Sequence, residues 1–311
     1  MNPVEKYLDY IVSVRRYSPR TAQIYGDILG RYVEFCGVPA EQVCKVLSPG
    51  DIRDYEVYLS DKCRLSARTV QQHLSVLSGF ASYLVREGLL EGNQVKLIRR
   101  PKAEKRLPSF YREKPMEEYF ELTSWKVSDL NTNYQERLSR LVISLLYGTG
   151  MRRSEVIGLK VGEVDFSRNV IRVLGKGNKM REIPMISSLS EELSLYLQST
   201  EDLLGRKREP GEALLISAKG RPLYPMAVER IVRGELGQVR GISGKKSPHV
   251  LRHTLATQLL ERGSDLNAIK ELLGHSSLAA TQVYTHNSIG KLKNVYNNAH
   301  PRAKKGGNNG D

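Results

Sequence analysis

No single regular element can cross residues 96–115. Pro101, Pro108 and Pro115 each lack an amide proton and obstruct the preceding helical turn. The same stretch is strongly basic, with Lys96, Arg99, Arg100, Lys102, Lys105, Arg106, Arg112 and Lys114 against only Glu104 and Glu113. Patterned sequence flanks it on both sides. The chain therefore divides into an N-terminal domain over residues 1–94, a basic linker over 95–114 and a second domain over 115–311. At 311 residues the length suits two domains of roughly 150 residues each. The linker is expected to be exposed, either lying along a polyanion or simply solvated.

The first hundred residues read as a four-helix bundle. One helix covers residues 4–14. Ser18-Pro19 caps and opens a second, which carries Ile24, Ile28, Tyr32 and Phe35 and stops at Gly37. Ser48-Pro49 opens a third through Ile52, Tyr55 and Leu59. Ser66 caps a fourth, with Val70, Leu74, Leu77, Phe80 and Leu84 on one face and Gly88 as its stop. The second part is mixed. Helices are predicted over 139–147 and 154–159, strands over 169–174 and 180–185 around the turn Gly175-Lys-Gly-Asn178, then helices over 189–204, 227–236, 249–262, 266–273 and 279–284. The fold class is mainly α with a small β-sheet, a helical domain followed by a mixed α+β domain. A last amphipathic segment, Ile289, Leu292, Val295 and Tyr296, precedes a polar tail over 306–311 that is expected to be disordered.

Lys and Arg total 48 against 34 Asp and Glu, a formal net charge of +14. The first hundred residues carry 14 basic and 11 acidic side chains, the remainder 34 and 23. Such an excess points to nucleic acid or an acidic membrane surface. No apolar run approaches the ~18–20 residues of a membrane span, and the N-terminus lacks the basic-then-apolar order of a secretory signal. Cys36, Cys44 and Cys63 lack Cys-x-x-Cys spacing, which argues against a disulfide framework or a cysteine-rich zinc site. A cytoplasmic protein with no membrane partner is expected.

Five of the six histidines lie after residue 248: His249, His253, His275, His286 and His300. His249 and Arg252 stand three apart at a helix start, a permanent cation beside a group that exchanges protons, which suits a phosphoryl group. His249 and His253 are four apart, but the zinc-protease pattern wants Glu directly after the first His and this chain has Val250. In Gly148-Thr-Gly-Met-Arg152-Arg153-Ser-Glu155 a glycine turn runs into a helix whose first turn carries arginine. That arginine either meets an anion or pairs with Glu155. Lys176 sits in a hairpin turn that lacks phosphate-loop spacing; it either reaches a DNA groove or a leaving oxygen, or is solvated. Leu272-Leu273-Gly274-His275 is followed nine residues on by Tyr284.

In order along the chain, these motifs resemble the tyrosine recombinase (phage integrase) family, whose catalytic set is Arg, Lys, His-x-x-Arg, His and Tyr. The set falls on Arg152 in Thr-Gly-Met-Arg-Arg-Ser-Glu, Lys176 in Gly-Lys-Gly-Asn-Lys, His249 and Arg252 in His-Val-Leu-Arg-His, His275 in Leu-Leu-Gly-His-Ser, and Tyr284 in Thr-Gln-Val-Tyr-Thr-His. Tyr-Ser-Pro-Arg-Thr-Ala and Leu-Ser-Ala-Arg-Thr-Val look like helix starts of the family's core-binding, SAM-like domain. Ala299-His-Pro-Arg-Ala303 looks like the tail of the Xer branch, although Asn93-Gln94 stands where Xer-type members usually carry Asn-Pro.

The resemblance implies strand cleavage of the type IB kind. Tyr284 attacks a scissile phosphate to give a 3′-phosphotyrosyl link and a free 5′-hydroxyl, with no metal, nucleotide or other cofactor. Arg152 and Arg252 are implied as clamps on the non-bridging oxygens, Lys176 as the acid for the leaving oxygen, His249 as base or proton shuttle, His275 as a hydrogen-bond partner of the phosphate and Glu155 as the group that orients Arg152. His253 and His286 are taken as structural. Arg64, Arg68, Gln72 and Lys179 are candidate DNA contacts. Implied partners are a double-stranded recombination site and a related recombinase in a homo- or hetero-tetramer, with an activating protein possible. The segment 289–296 is expected to dock into a neighbouring protomer, with packing on its own domain as the alternative. Chromosome-dimer resolution is the expected role; integration or excision of a mobile element shares its chemistry, and a non-catalytic DNA-binding protein is a distant alternative.

Overall fold

The computed structural model describes residues 1–102, 109–128, 132–175, 180–274, 296 and 299–302. The chain forms two compact units, Met1–Arg106 and Leu107–Asp311.

The first unit is helical. Helix α1 (Pro3–Ser13) starts at a capping box in which Asn2 and Glu5 satisfy each other's backbone amides. Helix α2 (Pro19–Cys36) starts at Ser18 with proline in its first position, and Gly37 closes it at φ 65°. Helix α3 (Pro49–Val57) uses a second box, Ser48 with Asp51. Helix α4 (Ala67–Arg86) is capped by Ser66. Turns of 3-10 helix over Ala40–Val46 and Gln94–Leu97 complete the unit. The four helix starts follow the sequence expectation because each rests on a local polar cap. The core is rich in rings: Tyr7 lies 5.3 Å from Phe80, and Tyr32 meets Tyr55 edge-on at 4.8 Å.

Both ends of the basic stretch are built into folded units. Val95 and Ile98 are buried in the first core, Gln71 donates to the Pro101 carbonyl at 2.6 Å, and Arg100 donates to Ser75 at 3.0 Å. On the other side Tyr111 is buried in the second core, held by Thr254 at 3.0 Å and by the Lys245 carbonyl at 2.8 Å. Helix α5 (Glu113–Leu122) then starts at the end of the basic stretch and carries Pro115. It is tolerated because it falls in the first turn, where an amide has no partner to lose.

The second unit continues with the short α6 (Trp125–Ser128), α7 (Tyr134–Thr149) and α8 (Arg153–Gly158). Strands β1 (Val164–Asp165), β2 (Val170–Leu174) and β3 (Met180–Pro184) form an antiparallel sheet in that order. Helices α9 (Ser187–Leu204), α10 (Pro225–Gly237), α11 (Pro248–Glu261) and α12 (Leu266–Leu273) follow. Every residue of α7 from Arg137 to Thr149 is buried, so α7 is the central post, with α9, α10 and α11 packed around it. No helix among the described residues is long and apolar enough to cross a membrane.

Candidate active site

The site is built where α7 ends, α8 begins and α12 stops. Gly150 terminates α7 at φ 63°, and a Cβ there would lie 2.6 Å from Leu273 and 3.1 Å from Leu255. Only glycine satisfies both the left-handed backbone and that approach. The turn is fixed from inside by Thr149, whose hydroxyl accepts from the Met151 amide at 3.2 Å. It is also fixed from below. The Tyr296 hydroxyl and His300 Nε2 (3.1 Å) both meet the Gly148 carbonyl.

Arg152 is the N-cap of α8. Its amide donates to Glu155 Oε2 at 2.8 Å, and its Nη1 to Glu155 Oε1 at 2.8 Å. The carboxylate therefore satisfies the amide of the residue that opens this six-residue helix, and the guanidinia bring positive charge to the site. Arg252 projects from α11 and is buried; Nη1 donates to the Gly150 carbonyl at 2.5 Å and Nη2 to the Leu273 carbonyl at 2.6 Å.

Three arginines converge on the end of α12. Arg181 Nε donates to the Leu272 carbonyl at 3.2 Å, Arg252 to Leu273, and Arg152 Nη2 to Gly274 at 3.1 Å. The last carbonyls of a helix lack intrahelical donors and lie at the negative end of its dipole, so they gather cations. The residue after Gly274 is His275.

These cations repel one another. The Arg252 guanidinium is pushed down to about 10, by burial first and then by Arg152 and Arg181, with Glu155 opposing. It stays cationic at neutral pH. Burial would raise the Glu155 carboxyl, yet hydrogen bonds from Arg181 and from the Arg152 amide hold it below its ordinary value. Three arginines and one glutamate leave the cluster with an excess of two positive charges, and only Arg152, 36% exposed, carries that charge to the surface.

The structure brings together Arg152, Arg252 and Glu155, and His249 lies exposed on the first turn of α11. His253 is partly buried beside Phe110, and burial and then His249 lower its proton affinity. Lys176, Lys179, His275, Tyr284, His286, the segment 289–295 and the tail 306–311 lie outside the described residues. Tyr296, expected to close a segment that docks into a neighbour, is instead buried in its own unit, where its ring meets His300 at 4.6 Å. Its aromatic bulk fills space beside α7 that its own chain can reach. In the first unit Arg64 (φ 51°), Arg68 and Gln72 are all exposed at the start of α4.

Arg181 was not singled out from sequence. In β3 it pairs with Val173 of β2, and both side chains are buried. The alternation Met180-Arg181-Glu182-Ile183 is the available signal, because Ile183 shares its side of the strand.

The comparisons with known proteins agree with this geometry. Residues 122–290 match the phage integrase family and residues 4–88 match the phage integrase N-terminal SAM-like domain. Tyrosine recombinase XerC of Bacillus subtilis (strain 168) is 37% identical over 307 residues, covering 98% of each chain. Two solved structures share the fold. The Tn1549 transposon integrase in complex with transposon right end DNA has a TM-score of 0.67 at 20% identity, covering 94% of this chain and 99% of that one. A lambda integrase tetramer bound to a Holliday junction has a TM-score of 0.63 at 21% identity, covering 88% and 74%. The chain belongs to the phage integrase family of tyrosine recombinases. It is a site-specific recombinase that cleaves and rejoins DNA, similar to XerC along nearly its whole length.

Proposed function

We propose that this chain cuts duplex DNA through Tyr284 and that Arg152 and Arg252 hold the phosphate under attack. The convergence of arginines on the end of α12 carries the proposal, because it prepares a cationic cradle on the residues that immediately precede His275 in sequence, ten before Tyr284. The Tyr284 oxygen attacks phosphorus and gives up its proton to His249 or to water. The bond from phosphorus to the 5′-oxygen breaks, and Lys176 supplies the proton that makes it a hydroxyl. The ester is kept as a 3′-phosphotyrosine until a 5′-hydroxyl from a partner strand reverses the step. Charge builds on the non-bridging oxygens in between, where preorganised guanidinium donors act, each worth on the order of 3 kcal/mol. His275 donates to the same phosphate, and Glu155 orients Arg152.

The biological role that fits is chromosome-dimer resolution by a tetramer assembled on a recombination site with a second, related recombinase. Full-length similarity to XerC supports the role, and the tetramer of lambda integrase on a Holliday junction supports the assembly. Arg64, Arg68 and Gln72 with Lys179 contact the duplex, which makes binding steeply dependent on salt. The deciding experiment is Tyr284→Phe on a nicked suicide substrate. The variant is expected to bind DNA as the parent does and to form no covalent adduct. Adducts at the parental rate would remove Tyr284 as nucleophile.

A further inference from the structure

Glu155 is shared unequally between two arginines. Arg181 takes both carboxylate oxygens, Nη1 to Oε1 at 3.1 Å and Nη2 to Oε2 at 2.8 Å, whereas the Arg152 side chain reaches Oε1 alone. The Arg181 and Glu155 side chains are each 5% exposed. Coulombic coupling is stronger for the pair withdrawn from water, and a guanidinium spanning both oxygens has the geometry that makes such pairs strong.

We propose that Arg181 is a positioning residue that serves as the principal counter-ion of Glu155 and so leaves the charge of Arg152 only partly neutralised and available to the DNA phosphate. The proposal rests on the reading of Arg152 as a phosphate clamp. A buried carboxylate with Arg152 as its sole cation would draw that guanidinium inward and cancel more of the charge it carries to the surface. With Arg181 present, Glu155 aims Arg152 while neutralising it only in part.

Two further observations fit. Arg181 is locked in place: its Nε is on the Leu272 carbonyl, and a Cβ at Gly274 (φ 63°) would lie 3.1–3.2 Å from its guanidinium. It is also the second residue of β3, five residues after Lys176 in sequence, and it rests against the residue that precedes His275. One buried fork thus ties together the roots of the segments bearing Lys176, His275 and Arg152. Lysine could not reproduce this, since one ammonium cannot span two oxygens and a carbonyl in a fixed plane.

The test uses the full-length chain on a nicked duplex carrying its recombination site. Adduct formation is measured at saturating DNA, affinity by titration and folding by the fluorescence of Trp125. Arg181→Met is expected to slow adduct formation by about 100-fold, the scale of one lost electrostatic donor, while affinity stays within about threefold. Adding Glu155→Gln should restore about tenfold over Arg181→Met, because the stranded carboxylate that captures Arg152 is gone. A role confined to fastening β3 predicts a double variant as slow as the single or slower, and that result, or parental rates in Arg181→Met, would overturn the proposal. Should Arg181→Met fail to fold, Arg181→Lys with and without Glu155→Gln supplies the same comparison with the same deciding outcomes. Arg152→Lys is the control: parental rates there would remove the clamp role of Arg152 itself, whereas slow rates there with no rescue in the double variant would remove only the role of Arg181.

Discussion

The two units bury different chemistry. Among the described residues the first unit buries no Asp, Glu, Lys or Arg, and His73 is its one buried polar side chain outside the tyrosines. The second buries Arg137, Arg140, Glu155, Arg181, Glu192, Arg252 and His300. An apolar helical core can present basic residues such as Arg64 and Arg68 from its surface at little cost. A unit that must steady charge on phosphorus has to bring cations out of water, and each then needs a carbonyl, a carboxylate or a ring. The second unit does this twice. Around Glu155 the cluster opens outward through Arg152. Around Glu192 it is closed: Arg140 and Arg302 both donate to Oε1, at 3.1 and 2.8 Å, and both guanidinia lie over the Phe120 ring, at 4.5 and 3.9 Å. Similar ions give an exposed rim in one place and a closed clasp in the other, the difference being access to solvent.

The largest effect that would break this contrast is on the closed clasp. Glu192→Leu should cost the second unit about 3–5 kcal/mol, because two buried guanidinia lose their carboxylate. Trp125 is the only tryptophan in the chain and lies in this unit, so its fluorescence during urea unfolding reads the loss. A cost below about 1 kcal/mol would mean that Phe120 and water already satisfy the arginines.

That clasp also marks what sequence reading cannot reach. Glu192 lies 52 residues from Arg140 and 110 from Arg302, and nothing local distinguishes these arginines from solvated ones. Arg181 is hidden in the same way: its partner Glu155 is 26 residues earlier, and its inward direction depends on the register that sets it opposite Val173. Legible features were those whose physics is local. Ser18, Ser48 and Ser66 announce helix starts, Gly37 announces a stop, and Thr-Gly-Met-Arg-Arg-Ser-Glu joins a glycine turn to a capping carboxylate within a few residues. Pro115 is less legible, because a proline that bars a helix across residues 96–115 also fits the first turn of a helix that starts at Glu113.

Acid should separate the units next. His300 is buried with both ring nitrogens engaged: Nδ1 accepts from the Arg302 amide at 3.1 Å and Nε2 faces the Gly148 carbonyl at 3.1 Å, an arrangement that fits the neutral ring. Burial, and then Arg302, lower its pKa from 6.5 to about 3. Below pH 6.5 the unfolded chain takes a proton that the native state refuses. The stabilisation is full above that value and is lost as pH falls toward 3, reaching about 2 kcal/mol by pH 5. Urea unfolding followed through Trp125 between pH 7 and 5 measures the slope, and His300→Gln should flatten it. An unchanged slope in that variant would assign the acid sensitivity to other groups.

The smallest effect concerns the first unit, where polar contributions come from helix ends. Ser66 Oγ accepts from the Thr69 amide at 3.3 Å and holds the start of α4, the turn that presents Arg68. Ser66→Ala should cost about 1 kcal/mol, felt as a roughly fivefold rise in amide exchange near Val70 and Leu74. The core rings stay packed, so the loss should remain local to that turn. Because the first two turns of α4 carry Arg68 and Gln72, fraying should also weaken DNA binding slightly without slowing cleavage at saturating DNA. Slower cleavage at saturation would mean that the start of α4 feeds into the chemistry itself, and the division of labour between an apolar holding unit and a charged cutting unit would have to be redrawn.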